Sequence, residues 1–284
     1  MRPRAIKTRG VQDGIRLLYL QRVSHADLQP LLPTGVQCIP LFMKKNRPNL
    51  HWQSHGITNV GAVRKINEDA FLDRPDLGVW AVADGMGGHA GGDVASQLVV
   101  DRLAQLPANS SLSALVDTAE DRLFEANRKL LTLAMRQKER TIGSTVVALF
   151  ARGRHAACLW AGDSRLYRIR GRHIQQMMQD HAMVEDLVMS GLITREEAAD
   201  HPQANRITRA IGAMPSLFLD LELFAVRPGD IYLLCSDGLY KELSDDEIAK
   251  TLNNDERAID KLIMFALERG ARDNVTVVSV RFDA

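Results

Sequence analysis

Val79-Trp80-Ala81-Val82-Ala83-Asp84-Gly85-Met86-Gly87-Gly88-His89-Ala90-Gly91-Gly92 is a short apolar run that ends in Asp-Gly and continues into a glycine-rich loop. An uninterrupted apolar run bounded by turn residues predicts a buried strand, with Asp84 at its tip. The arrangement recurs where Ile231-Tyr232-Leu233-Leu234-Cys235-Ser236 runs into Asp237-Gly238. Two more aspartates stand at similar junctions, Asp163 after Cys158-Leu159-Trp160-Ala161-Gly162 and Asp273 just before Val275-Thr276-Val277-Val278-Ser279-Val280. Taken singly, each Asp-Gly reads more readily as a two-residue hairpin turn. The segment after Gly85 is too long and too glycine-rich for that, and no strand is expected to resume after either pair. Ionised carboxylates crowded together are most readily compensated by a divalent cation. A donor set of oxygen alone selects Mg²⁺, Mn²⁺ or Ca²⁺ over zinc or copper.

The 284-residue chain is 45% hydrophobic and 25% charged, the balance of a folded globule. No apolar stretch approaches the roughly 18 residues needed to span a bilayer, and the N-terminus lacks a signal peptide's apolar core, so a cytoplasmic protein is expected. Cys38, Cys158 and Cys235 are odd in number and far apart, which argues against a disulfide framework or a zinc site. Net charge is +1, yet residues 1–50 carry nine Lys/Arg against two acids, leaving −6 for the remainder. That mildly acidic body offers no footprint for nucleic acid. The first 50 residues, with five prolines and no sustained period, are expected to be a basic, poorly ordered extension preceding a domain at 51–284.

Strands are expected at Thr58–Val63, Ala70–Asp73, Val79–Ala83, Thr145–Phe150, His155–Ala161, Arg165–Arg170, His173–Met177, Ile231–Cys235 and Val275–Arg281. Leu217, Leu219, Leu221, Leu223 and Ala225 alternate with Asp220 and Glu222, which predicts a half-buried strand with the leucines inward. Helical spacing appears in Val94, Leu98, Val99, Leu103 and Leu106, and again from Leu112 to Leu130. Ser244-Asp245-Asp246-Glu247 forms a capping box, and Ile259 to Leu267 line a last helix that stops at Gly270. Residues 181–213 form a helical excursion, in front of which Asp180 and His181 read as an N-cap and its neighbour. Helices arrive in blocks, which favours antiparallel sheets covered by helices.

These residues, in this order, make the chain resemble the metal-dependent protein serine/threonine phosphatases of the PP2C or PPM type, in particular their compact bacterial branch. The resemblance rests on Arg64-Lys65-Ile66-Asn67-Glu68-Asp69, Asp84-Gly85-Met86-Gly87-Gly88-His89, Ile142-Gly143-Ser144-Thr145, Ala161-Gly162-Asp163-Ser164-Arg165, Asp180-His181, Ser236-Asp237-Gly238 and Asp273-Asn274-Val275-Thr276. It implies an α+β fold, a four-layer α-β-β-α sandwich of two antiparallel sheets flanked by helix pairs, with 181–213 as a flap beside the active site. It implies two Mn²⁺ or Mg²⁺ ions, with a third in some relatives. Asp84 would bridge the pair, Asp237 and Asp273 would complete one ion, and the Gly85 carbonyl with Glu68 or Asp69 would serve the other. Asp163 and Asp237 would form the third site. Arg64 would bind the substrate phosphate, and a metal-bridging hydroxide would attack phosphoserine or phosphothreonine in line. Partners would be phosphorylated proteins and an opposing serine/threonine kinase, with the enzyme a monomer. Where better-known relatives carry a histidine after Asp-Gly this chain has Met86, which leaves His89 and metal-bound water as candidate proton donors; Asn274 is a further candidate of unassigned role. Two other readings remain, a binding module that kept the fold without catalysis and a hydrolase of small phosphomonoesters.

Overall fold

In a computed structural model of the chain, the described residues are 50–284 except 88–90, 109–110, 138–140, 200 and 255–256. The chain divides into Met1–Arg47 and Pro48–Ala284, and the described residues belong to the second unit. The expectations for residues 1–49 and for His89 therefore fall on positions outside the described residues, whereas Leu50, counted in the poorly ordered extension, is buried in the core.

Two antiparallel sheets form the centre. One runs in the order β1 (His51–Asn59), β11 (Val275–Asp283), β10 (Ile231–Cys235), β7 (Arg165–Arg170), β8 (His173–Gln176). The other runs β2 (Asp69–Arg74), β3 (Val79–Gly87), β5 (Val146–Arg152), β6 (His155–Ala161), β9 (Asp220–Ala225), with β4 (Ile142–Ser144) paired to the end of β3. Helices α1 (Gly92–Ala104) and α2 (Leu112–Gln137) cover the β2–β9 sheet, and their inner faces, Val99 and Leu103 with Leu115, Leu123 and Leu130, are fully buried against it. The short α5 (Asp237–Tyr240), α6 (Asp245–Asn254) and α7 (Ala258–Glu268) lie on the other sheet, with Leu252, Ile259, Leu262 and Ala266 in its core. Helices α3 (Met183–Met189) and α4 (Arg195–Ala199) lie in the excursion between β8 and β9, which has a small core of its own around Ala182, Val184 and Ala198.

Between the sheets lies a second layer of core, built on Trp80, Val147, Tyr232, Val278 and Phe282. Trp80, Tyr232 and Phe282 are fully buried, and the Trp80 and Phe282 rings meet edge to face with centroids 6.3 Å apart. Each such side chain contributes roughly 2–3 kcal/mol of hydrophobic stabilisation, which makes this layer the main bond between the sheets. The four-layer α-β-β-α order matches the architecture expected from sequence.

Four local expectations are corrected. First, the strand placed at Thr58–Val63 starts at His51 and ends at Asn59, because the chain turns at Gly61, whose φ of +80° suits glycine. Second, β3 does not stop at Asp84-Gly85: it runs on to Gly87, held by pairing of Gly85 with Ser144 and Gly87 with Ile142. Third, the leucine face of β9 points outward, with Leu221 and Leu223 38% and 53% exposed, because β9 is the edge strand. Phe224 turns in to the core between the sheets, and Leu217 and Leu219, ahead of the strand, pack beneath the helices. Fourth, the N-cap of α3 is Ala182, and Asp180 and His181 are engaged elsewhere. At the start of α6 the reciprocal half of the expected capping box is present, Glu247 accepting from both the Ser244 amide and its hydroxyl.

Candidate metal centre

The strand ends gather at one end of the sandwich. Asp69 opens β2 and stands directly across from Asp84 on β3. Asp163 sits in the link from β6 to β7, Asp237 opens α5 just after β10, and Asp273 precedes β11. Carboxylates from both sheets and from the crossover between them therefore face one another. Asp84 is held well above the ordinary aspartate range, first by burial and then by Asp69, Asp237, Asp163 and Asp273 in turn. Burial pushes Asp163 up to about 7, with Asp237 and Asp180 adding to the rise and Lys241 opposing it. Asp69 also reaches about 7 through burial, although hydrogen bonds from Thr276 and Ser236 favour its charged form.

Small polar residues brace much of this cluster. Asp69 Oδ2 accepts from the hydroxyls of Ser236 and Thr276, both at 2.7 Å, and so ties β2 to the opposite sheet. The Asp84 amide donates to Thr145 Oγ1 at 3.0 Å, and Thr145 shares a 2.7 Å hydrogen bond with Ser164, the residue after Asp163. Asn274 accepts from the Glu68 amide at 2.8 Å and donates to the carbonyls of Val60 and Ile66, clamping the loop that carries Arg64. Arg64 reaches from that loop to Asp273 at 2.8 Å. Close backbone approach dictates glycine at Gly85, where a Cβ would lie 2.0 Å from the Gly92 carbonyl oxygen. Glu68 accepts from the Gly92 amide at the start of α1, and burial raises its pKa while Arg64 lowers it.

The sequence-derived candidates Arg64, Glu68, Asp69, Asp84, Gly85, Asp163, Asp237 and Asp273 thus fall in one region. Among the described residues, no three His, Cys, Asp or Glu side chains converge at chelating distance on a single point. Asp273 is drawn to Arg64, Asp237 to Lys241 and Asp69 to its two hydroxyls. The donor set nevertheless fits hard cations. Asp237 Oδ1 is buried without a hydrogen-bond partner among the described residues, a costly position for a carboxylate oxygen that nothing compensates.

Sequence reasoning missed the braces Thr145, Ser164, Ser236 and Thr276 and gave Asn274 no role, although the signal was present. Every acid of the cluster lies beside, or pairs with, a Ser, Thr or Asn. It also misread Asp180 and His181. Asp180 accepts a forked pair of hydrogen bonds from Arg165, at 3.0 Å from Nε and 2.7 Å from Nη2, and another from Gln176. Arg165 in turn lies 3.6 Å over the Tyr240 ring. His181 Nδ1 accepts from the Gly162 amide and its Nε2 meets Asp220 at 3.1 Å, so the start of the 181–213 excursion is pinned to the loop that carries Asp163.

A carboxylate cluster at one end of a four-layer α-β-β-α sandwich, with Arg64 beside it, is the arrangement of a metal-dependent phosphoester hydrolase. The model of the Protein phosphatase 2C family matches residues 62–268, and the chain belongs to that family. It is 34% identical over 233 residues to protein phosphatase PhpP of Streptococcus pneumoniae, covering 79% of this chain and 95% of that one. Among solved structures it is similar to PppA, a key regulatory component of T6SS in Pseudomonas aeruginosa, at 43% identity and a TM-score of 0.77, covering 82% of this chain and all of that one. The catalytic domain of the serine/threonine protein phosphatase PstP, solved with two manganese ions, matches at 34% identity and a TM-score of 0.73, covering 83% and 100%. The chain is accordingly a metal-dependent protein serine/threonine phosphatase using Mn²⁺ or Mg²⁺. Among the described residues, no helix is long and apolar enough to cross a membrane.

Proposed function

We propose that residues 51–284 hydrolyse phosphoserine and phosphothreonine on proteins in the cytoplasm, opposing a serine/threonine kinase, as a monomer and with residues 1–50 as an appended extension. The observation that carries this reading is the meeting of Asp84 with Asp69, Asp163, Asp237 and Asp273 at one end of the sandwich. Asp84 would be shared by two ions, Asp237 and Asp273 would hold one of them, and Gly85 with Glu68 or Asp69 would hold the other. When bound, two such ions offset the charge of a phosphomonoester dianion and bring the pKa of a water toward neutrality.

The remaining work falls to the chain itself. Arg64 is half-exposed and gives one Nη2 donor to Asp273, which leaves its remaining N–H donors for charge-assisted hydrogen bonds to phosphate oxygens that would set the phosphorus for in-line attack. Asn274 fixes the loop on which Arg64 and Glu68 ride. The departing serine or threonine oxygen needs a proton that Met86 cannot give, and water would supply it. Retention of every carboxylate supports catalysis over a binding role. Assaying phosphopeptides with Mn²⁺, with and without EDTA, tests the assignment. Metal-dependent release of phosphate is expected, whereas turnover of small phosphomonoesters alone would overturn the protein-substrate reading.

A further inference from the structure

Asp237 opens α5, and Lys241 stands four residues on, one helical turn away and on the same side. Lys241 Nζ lies 2.5 Å from Asp237 Oδ2, while Asp237 Oδ1 remains without a hydrogen-bond partner among the described residues. The carboxylate is therefore divided, with one oxygen engaged by an ammonium and the other free. Asp163 belongs to the same corner: it and Asp237 act on each other, and Lys241 opposes the charge of both. Tyr240, between Asp237 and Lys241 in α5, donates to the Asp163 carbonyl at 3.1 Å and fixes the distance between the two acidic segments. Lys241 approaches from solvent, its side chain 38% exposed, whereas the Asp237 side chain is only 13% exposed.

We propose that the Lys241 ammonium takes the cation position between Asp163 and Asp237, so that this phosphatase binds two divalent ions and excludes a third. The proposal rests on the two-ion reading above. An ammonium suits the position because it is a compact charge with three rotatable donors and makes no demand on coordination geometry. A divalent ion there would need about six oxygen ligands, and one of the few protein oxygens on offer is already taken. Being tethered, the ammonium is present whatever the free ion concentration, so a free ion must compete with a partner of fixed high local concentration.

The test counts ions. Mn²⁺ bound per chain is measured by equilibrium dialysis with elemental analysis on the full chain and on Lys241→Ala, Lys241→Met and Lys241→Ala/Asp163→Asn, each checked for folding by circular dichroism. We expect two ions in the wild type, a third in both single variants with at least tenfold tighter binding than any third ion in the wild type, and two again in the double variant. A third ion bound equally well by wild type and variants would overturn the proposal, as would single variants that fold and still stop at two. Fewer than two ions in the wild type would instead bring down the dinuclear reading on which the proposal stands.

Discussion

Removing the divalent ions should invert the way this protein's stability responds to pH. Asp69 and Asp163 both rise from 3.8 to about 7 on folding, so in the ion-free protein each binds its proton more tightly folded than unfolded. Across the window from about pH 4 to 7 the folded form then carries more protons than the unfolded one, and stability falls as pH rises. For one such carboxyl the loss between about pH 5 and about pH 8 is on the order of 2–3 kcal/mol, and Asp84 shifts in the same direction. In a domain of this size that corresponds to about 5–10 °C in Tm for each carboxyl, with less than full additivity because all three face Asp237. Bound cations favour the ionised carboxylates and reverse the sign, so stability should then hold or rise with pH. Differential scanning calorimetry in EDTA and in Mn²⁺ across this range reads both slopes, and Asp163→Asn should flatten the ion-free one. An ion-free Tm that is constant or climbs toward alkaline pH would refute the picture of carboxylates crowded out of water.

Asp84→Asn and Asp237→Asn should each lower phosphopeptide turnover by at least about a hundredfold, while His89→Ala keeps most activity on an activated aryl phosphate; equal losses in all three would make His89 the proton donor. Arg64→Lys should raise KM for phosphopeptide about tenfold through loss of the forked contact, with little change in bound Mn²⁺; an unaltered KM would remove Arg64 from the phosphate site. Asn274→Ala should cost about 2–4 kcal/mol in urea unfolding, because it strands the Glu68 amide and the carbonyls of Val60 and Ile66; a loss below about 1 kcal/mol would show that solvent replaces the clamp.

Where the sequence was legible, its signals were local and repeated. The apolar runs of β6 and β10 announce their strands, the pattern of Leu115, Leu123 and Leu130 announces the inner face of α2, and the motifs around Asp84, Asp163, Asp237 and Asp273 announce the acid cluster. What escaped was set by partners distant in the chain. The end of β3, Asp84-Gly85-Met86-Gly87, has no strand pattern of its own and is extended because Ile142–Ser144 pairs with it. The alternation of β9 was read correctly, but the side that faces solvent depends on its place at the sheet edge. Asp180 looked like a cap because Arg165, which claims it, lies 15 residues earlier at the start of β7. Lys241 drew no notice, since a lone lysine after a helical turn is ordinarily a solvated charge.

The hydrogen bonds from Ser236 and Thr276 to Asp69 mean that the acids are distributed over both sheets, with the seam between them running through the site. Ion affinity in this fold is therefore a gauge of how well the two sheets are registered. Thinning the aromatic layer at Trp80 or Phe282, remote from every ligand, would register first as a looser grip on manganese. Conversely, the loaded ions act as a clasp, so a protein weakened in its interior would survive heating in metal that it could not survive in chelator.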